Sequence, residues 1–183
     1  MAEALRIART QVGVREHPRN SNRGPEVDGY LAAVGLAPGQ AWCAAFVWWA
    51  AEKAWREMHD GRTEAAGAPP VPLVKTGWSY AMWQWLDRRG LTRTVADAER
   101  EKNLPAGALF FLRGSVSWSR NEEIHHVGLV EGIDALERTA YTCEGNTDGS
   151  GTNEGGGVYR LERGLERIDC FAVYGTGEEG AEA

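Results

Sequence analysis

Cys43 stands where a Gly39-Gln40-Ala41-Trp42 approach gives way to an alanine-rich apolar stretch, a position that suits a nucleophilic thiol. The attacking form is the thiolate, whereas a free cysteine, with an ordinary pKa of about 8.5, is mostly protonated at neutral pH. A helix N terminus favours the anion through its free N–H groups and its dipole, and a neighbouring imidazolium favours it further. The backbone N–H of Cys43, at the open end of such a helix, is also a candidate oxyanion donor. Alone, a cysteine on an alanine-rich helix reads more simply as a small buried hydrophobe. The other residues that could join it decide the matter.

A base must come from elsewhere in the chain, which has four histidines. His17 lies in the polar segment 17–25 and His59 opens a polar, Gly- and Pro-rich stretch, so both are expected to be solvated. His125 and His126 precede Val127-Gly-Leu-Val, a run expected to form a buried strand. Side chains alternate across a strand, so one of the pair can face Cys43 while the other faces away. Glu144 and Asn146, in Cys143-Glu-Gly-Asn-Thr, end the next expected strand and, spaced by two, are expected to share a face. A carboxylate or amide there can accept from one ring nitrogen and leave the other aimed at the thiol. Either residue can fill this role, and either alone would be ordinary turn chemistry. Such a set performs acyl transfer through a thioester and requires no cofactor.

The elements that must position these groups follow from periodicity. Helices are expected over 3–12, over Glu26 to Val34 with Gly35 closing it, from Cys43 to Met58, and from Ser79 to Arg89. In the last of these Trp78, Met82 and Trp85 fall on one stripe, read as core. Strands are expected at 108–112, 124–133, 139–143, 158–161 and 168–174, with a loop at 114–121. Helices in the first half and strands in the second imply an α+β fold, a helical layer packed on an antiparallel sheet. The chain reads as a single domain over residues 1–175, with a surface insertion at 59–72 and a disordered tail at 176–183.

A cysteine at a helix start, a histidine on a strand and a Glu or Asn on the next strand is the papain-like order of elements. At this point the sequence resembles the CHAP domain, the cysteine, histidine-dependent amidohydrolase/peptidase. The matching pieces are Asn22-Arg-Gly-Pro-Glu-Val-Asp-Gly-Tyr-Leu, Trp42-Cys-Ala-Ala-Phe-Val, Pro105-Ala-Gly-Ala-Leu-Phe-Phe, His126-Val-Gly-Leu-Val-Glu and Glu144-Gly-Asn-Thr, spread over about residues 4–174. The resemblance implies Cys43 as nucleophile, His126 as general base and Glu144 as the orienting residue, with Asn146 an alternative third member or a support. Many relatives have glycine where His125 stands, and His125 is expected to contact substrate, as is Trp42. Some members bind calcium through a run of aspartates early in the domain. Here only Glu26 and Asp28 are available, without that spacing, so no metal is expected. The implied substrate is peptidoglycan, cut at a stem or cross-bridge peptide bond or at the amide joining lactate to alanine. Rival readings are a papain-like hydrolase or toxin acting on another amide, and an inert glycan-binding module.

Composition narrows the partners. A net charge of -6 opposes a nucleic-acid footprint and adhesion to anionic membranes. No apolar run is long enough to span a bilayer, and the first residues carry no secretory h-region. The expectation is a monomer made in the cytoplasm that reaches the cell wall after export or lysis. Three cysteines do not make a disulfide framework. Either Cys143 pairs with Cys170 or all three are reduced, and the second is favoured. Eight tryptophans read mostly as core, with one or two expected at a cleft.

Overall fold

Leu5, Ile7 and Ala8 recur at helical spacing, and α1 (Ala2–Arg9) buries them together with Ala4. It ends earlier than expected because the Thr10 hydroxyl donates to the Ile7 carbonyl at 2.7 Å and turns follow. Pro25 opens α2 (Pro25–Ala33), where its missing N–H is no loss. Past that helix Gly35 takes a left-handed φ of 78°. The third helix, α3 (Cys43–Met58), has the bounds expected from the sequence. Its first half is buried on nearly every side, from Cys43 through Trp48, so it is the central helix of the layer. The last helix of the layer is α4 (Ser79–Asp87). The computed structural model describes residues 1–62, 67–102, 104–113, 124–152 and 155–175. The expected loop at 114–121 and tail at 176–183 lie outside them, as does part of the 59–72 insertion.

The second half forms one sheet. In chain order it comprises β1 (Thr92–Thr94), a short helix α5 (Val95–Glu101), β2 (Leu109–Arg113), β3 (Ile124–Asp134), β4 (Thr139–Thr147), β5 (Gly157–Gly164), a 3-10 turn at Leu165–Arg167, and β6 (Cys170–Ala172). The strands lie in the order β1-β6-β2-β3-β4-β5, each paired antiparallel to its neighbour. The fold is α+β, consistent with the papain-like arrangement. β1 and α5 were not expected from the sequence. A three-residue strand carries almost no periodic signal, and α5 rests on a local cap, Thr94 Oγ1 accepting from the Asp97 N–H at 3.1 Å.

Both faces of the sheet are covered. Leu109, Phe111, Val127, Leu129 and Cys143 pack against the helical layer. Phe110, Leu112, Val130 and Ala140 form a second core with Ala98, Leu165, Ile168 and Phe171. This explains why β2 and β3 read as continuous apolar runs rather than alternating ones. All three cysteines are free thiols. Burial pushes the Cys143 and Cys170 thiols up to about 12, which leaves both inert as nucleophiles.

The seam between α3 and β4 is set by a glycine. A Cβ on Gly145 would lie 2.6 Å from Trp42 Cζ3 and 2.8 Å from Phe46 Cγ, so only a bare backbone fits there. Next to it the pairing of β4 with β5 shifts between Glu144 and Thr147, and Asn146 takes a φ of 60°. This irregularity breaks the simple alternation that would have put Glu144 and Asn146 on one face.

Candidate active site

The helix α3 begins at Cys43 itself, with Trp42 as an N-cap residue that supplies no side-chain cap. The N–H groups of the first turn therefore remain available to a negative charge at the sulfur or on a bound carbonyl oxygen. Cys43 is buried apart from an opening into a cleft of about 410 Å³, lined also by Leu36, Gln40, Trp78, Tyr80 and His125.

His126 is fully buried, and its Nε2 lies 2.8 Å from Glu144 Oε2. The other ring nitrogen, Nδ1, is buried with no hydrogen-bond partner among the described residues, and Cys43 is the second group, beside Glu144, that acts on the imidazole. Burial alone would push the imidazole pKa down. Its contacts with Cys43 and Glu144 outweigh burial and raise it to about 9. The ring thus keeps its proton at neutral pH, as an imidazolium between a sulfur and a carboxylate. The structure brings Cys43, His126 and Glu144 together, and it is Glu144 rather than Asn146 that meets the imidazole.

Sequence reasoning missed the residue that makes this carboxylate tenable. Arg163 on β5 is itself buried and clamps Glu144 in bidentate fashion, Nε to Oε1 and Nη2 to Oε2, both at 2.6 Å. The Thr142 hydroxyl also donates to Oε1. Burial raises the pKa of Glu144, but Arg163 and then His126 overcome it and hold the carboxyl down to about 2. The guanidinium also lies over the Phe110 ring and donates to the Gly151 carbonyl at 3.1 Å. In the sequence Arg163 is one of two arginines in an alternating polar strand, and nothing local marks it as buried.

The remaining expectations divide. His125 lines the cleft as anticipated, and its Nε2 is buried without a partner among the described residues. Trp42 does not line it. Its ring is fully buried among Tyr30 and Phe46, with the indole N–H donating to Glu16 Oε1 at 2.9 Å. The substrate-contact reading of Trp42 is thereby corrected: a residue flanking the nucleophile in sequence points into the core in space. Trp78 is the opposite case. Read as core, it is 71% exposed and walls the cleft, while Met82 from the same stripe is buried. The Ser79 hydroxyl ties this wall to the start of β3 by donating to the Ile124 carbonyl at 3.3 Å. Asn146 lines an adjoining polar cavity. His59, expected to be solvated, packs its ring on Trp55 with centroids 4.3 Å apart. Asp28 accepts from the Gly24 N–H at the start of α2, and among the described residues no three His, Cys, Asp or Glu side chains gather as a metal site.

A family model for the CHAP domain matches residues 35–146, more than half of the chain. The chain belongs to the CHAP domain family. The match begins after α2 and ends at Asn146, so it holds Cys43, His126 and Glu144 and leaves out Arg163 and the Asn22 to Leu31 segment. No curated protein and no solved structure matches the chain. CHAP domains are cysteine- and histidine-dependent amidohydrolases or peptidases, which makes this chain an enzyme of that class.

Proposed function

We propose that this CHAP domain hydrolyses a peptide or amide bond of peptidoglycan, as an endopeptidase or an N-acetylmuramoyl-L-alanine amidase. The observation that carries the reading is a buried Cys43–His126–Glu144 relay whose sulfur opens onto a cleft walled by an exposed tryptophan. Trp78 and Tyr80 offer flat apolar surface on which a sugar ring or lactyl-peptide junction can rest. Members of the family typically act on this polymer.

The chemistry follows from the proton inventory. The Cys43 thiolate attacks the carbonyl carbon, and the C=O electron pair moves onto oxygen. The oxyanion is met by the Cys43 N–H at the uncapped start of α3. Collapse of the tetrahedral species breaks the C–N bond, and the imidazolium of His126 gives its proton to the departing amine. A thioester and a neutral imidazole remain. His126 then takes a proton from water as the water attacks the thioester, and the sulfur leaves as thiolate. Glu144, fixed by Arg163, keeps the ring oriented through both half-reactions. The site of action would be the wall, reached after export or lysis.

Incubation of purified cell walls with the protein, followed by mass spectrometry of the released fragments, tests this. New free amino and carboxyl termini at one defined bond are expected, and the bond identifies the enzyme as endopeptidase or amidase. Intact walls in the presence of a fully reduced, alkylatable Cys43 would turn the reading toward a different amide substrate.

A further inference from the structure

A second polar cavity, of about 370 Å³, sits beside the cysteine cleft and is lined by Glu16, Asn20, Asn22, Ala41 and Asn146. Ala41 lines both spaces, two residues before the nucleophile. Glu16 and Asn20 also line a third, outer cavity of about 560 Å³ together with Arg15, Arg19 and Asp148.

Glu16 is only 7% exposed, and its two oxygens differ. Oε1 accepts the Trp42 indole N–H at 2.9 Å, whereas Oε2 is buried with no partner among the described residues. A buried carboxylate oxygen without a donor is costly, and proteins keep such a group where something else completes it. The nearby cations do not complete it. Arg15 donates to the Val14 and Val158 carbonyls and lies 4.0 Å over the Tyr159 ring, and Arg19 is exposed. Neither forms an ion pair with Glu16 among the described residues. Gly156 keeps the space in front open. A Cβ there would stand 3.4 Å from Glu16 Oε2 and 3.5 Å from Asn20 Oδ1, so two acceptor oxygens converge on one uncluttered spot.

One carboxylate oxygen and neutral amide acceptors suit a group that carries a single positive charge and several N–H donors. A primary ammonium has three donors and needs such a set, whereas a divalent metal needs more anionic ligands. We infer that the Glu16 cavity is a subsite for a primary ammonium group of the substrate, an uncapped amine of a peptide residue lying next to the bond held at Cys43. That the peptide is a peptidoglycan stem or bridge rests on the function proposed above, but amine recognition at Glu16 does not.

The Trp42 indole N–H, hydrogen-bonded to the same carboxylate, is a built-in reporter. In Cys43→Ala protein, titration with L-alaninamide at constant ionic strength should shift the Trp42 indole N–H resonance saturably. N-acetyl-L-alaninamide should not, and Glu16→Gln should abolish the response. Asn20→Gly, at an exposed position whose left-handed φ of 56° glycine adopts freely, should weaken it. Absence of a saturable shift in the parent protein, or an equal shift in a folded Glu16→Gln protein, overturns the subsite. On muropeptides, Glu16→Gln should lower the ratio of kcat/KM for free-amine over N-acetylated substrate by about tenfold or more. A ratio unchanged by the substitution counts against the inference. Walls that are not cleaved at all defeat the peptidoglycan reading instead, and the alaninamide titration still decides the subsite.

Discussion

Glu144 and Glu16 are both buried carboxylates, one bonded to the imidazole of His126 and the other to the indole of Trp42, and they are completed in opposite ways. Both oxygens of Glu144 are taken, by Arg163, His126 and Thr142. Only one oxygen of Glu16 is taken, by Trp42. A carboxylate saturated from within the fold has no capacity left for a ligand, and its effect is exerted through the imidazole it holds. A carboxylate left half open, at the margin of a cavity, has its remaining capacity directed outward. The contrast separates a group that tunes the reacting atoms from one positioned to meet the substrate.

The sharpest way to test the inner side is to remove the reacting groups. Cys43→Ala should abolish turnover, and His126→Ala should lower kcat by about a thousandfold or more, with circular dichroism unchanged. Retained turnover in either protein removes that residue from the mechanism. Next in size is the clamp. Arg163→Met leaves the Glu144 charge buried without its main partner and should cost about 3–5 kcal/mol in denaturant unfolding. Combining it with Glu144→Gln removes the stranded charge, so the double variant should recover much of that stability and none of the activity. If the double variant is no more stable than Arg163→Met, the two residues are not coupled in this way.

The pH profile of stability should carry the same signature. Glu144 is depressed from 4.5 to about 2, so its contribution is complete above pH 4.5 and is lost as the pH falls toward 2. His126 is raised from 6.5 to about 9, so its contribution is complete below pH 6.5 and is lost as the pH rises through about 9. Thermal melts across pH should show a plateau between these limits. His126→Ala should remove the alkaline fall while leaving the acid fall, because Arg163 still holds Glu144. The smallest effect belongs to the cleft wall. Trp78→Ala should reduce kcat/KM several-fold, mainly through KM, while leaving the unfolding midpoint within about 0.5 kcal/mol of the parent. An unchanged KM would mean that substrate does not rest on this wall.

The features legible in the sequence are those written locally. The alanine stripe from Cys43 to Met58 and the apolar runs of β2 and β3 fixed the helix under the nucleophile and the strand bearing His126. Glu144 was legible as a candidate, but its choice over Asn146 depends on the β4 irregularity, which no alternation rule contains. Trp42 and Trp78 exchanged their expected places because a helical stripe gives direction only within the helix, and both residues sit just outside one. Arg163 and Glu16 were not legible at all. Each is a charged residue in a polar stretch, and its burial arises from partners 19 and 26 positions away in the chain.

Gly145 gives the seam between helix and sheet a meaning for how such an enzyme can diversify. Trp78 stands exposed at the rim and can be exchanged for other sizes and polarities without disturbing the seat of the sulfur. At Gly145 even a methyl group would press on Trp42 and Phe46 and lever the start of α3 away from β4. The substitution adds no functional group and removes none, yet it moves the nucleophile relative to its base. Substrate preference is thus free to drift around the cleft, while reactivity is anchored at a position that carries no side chain.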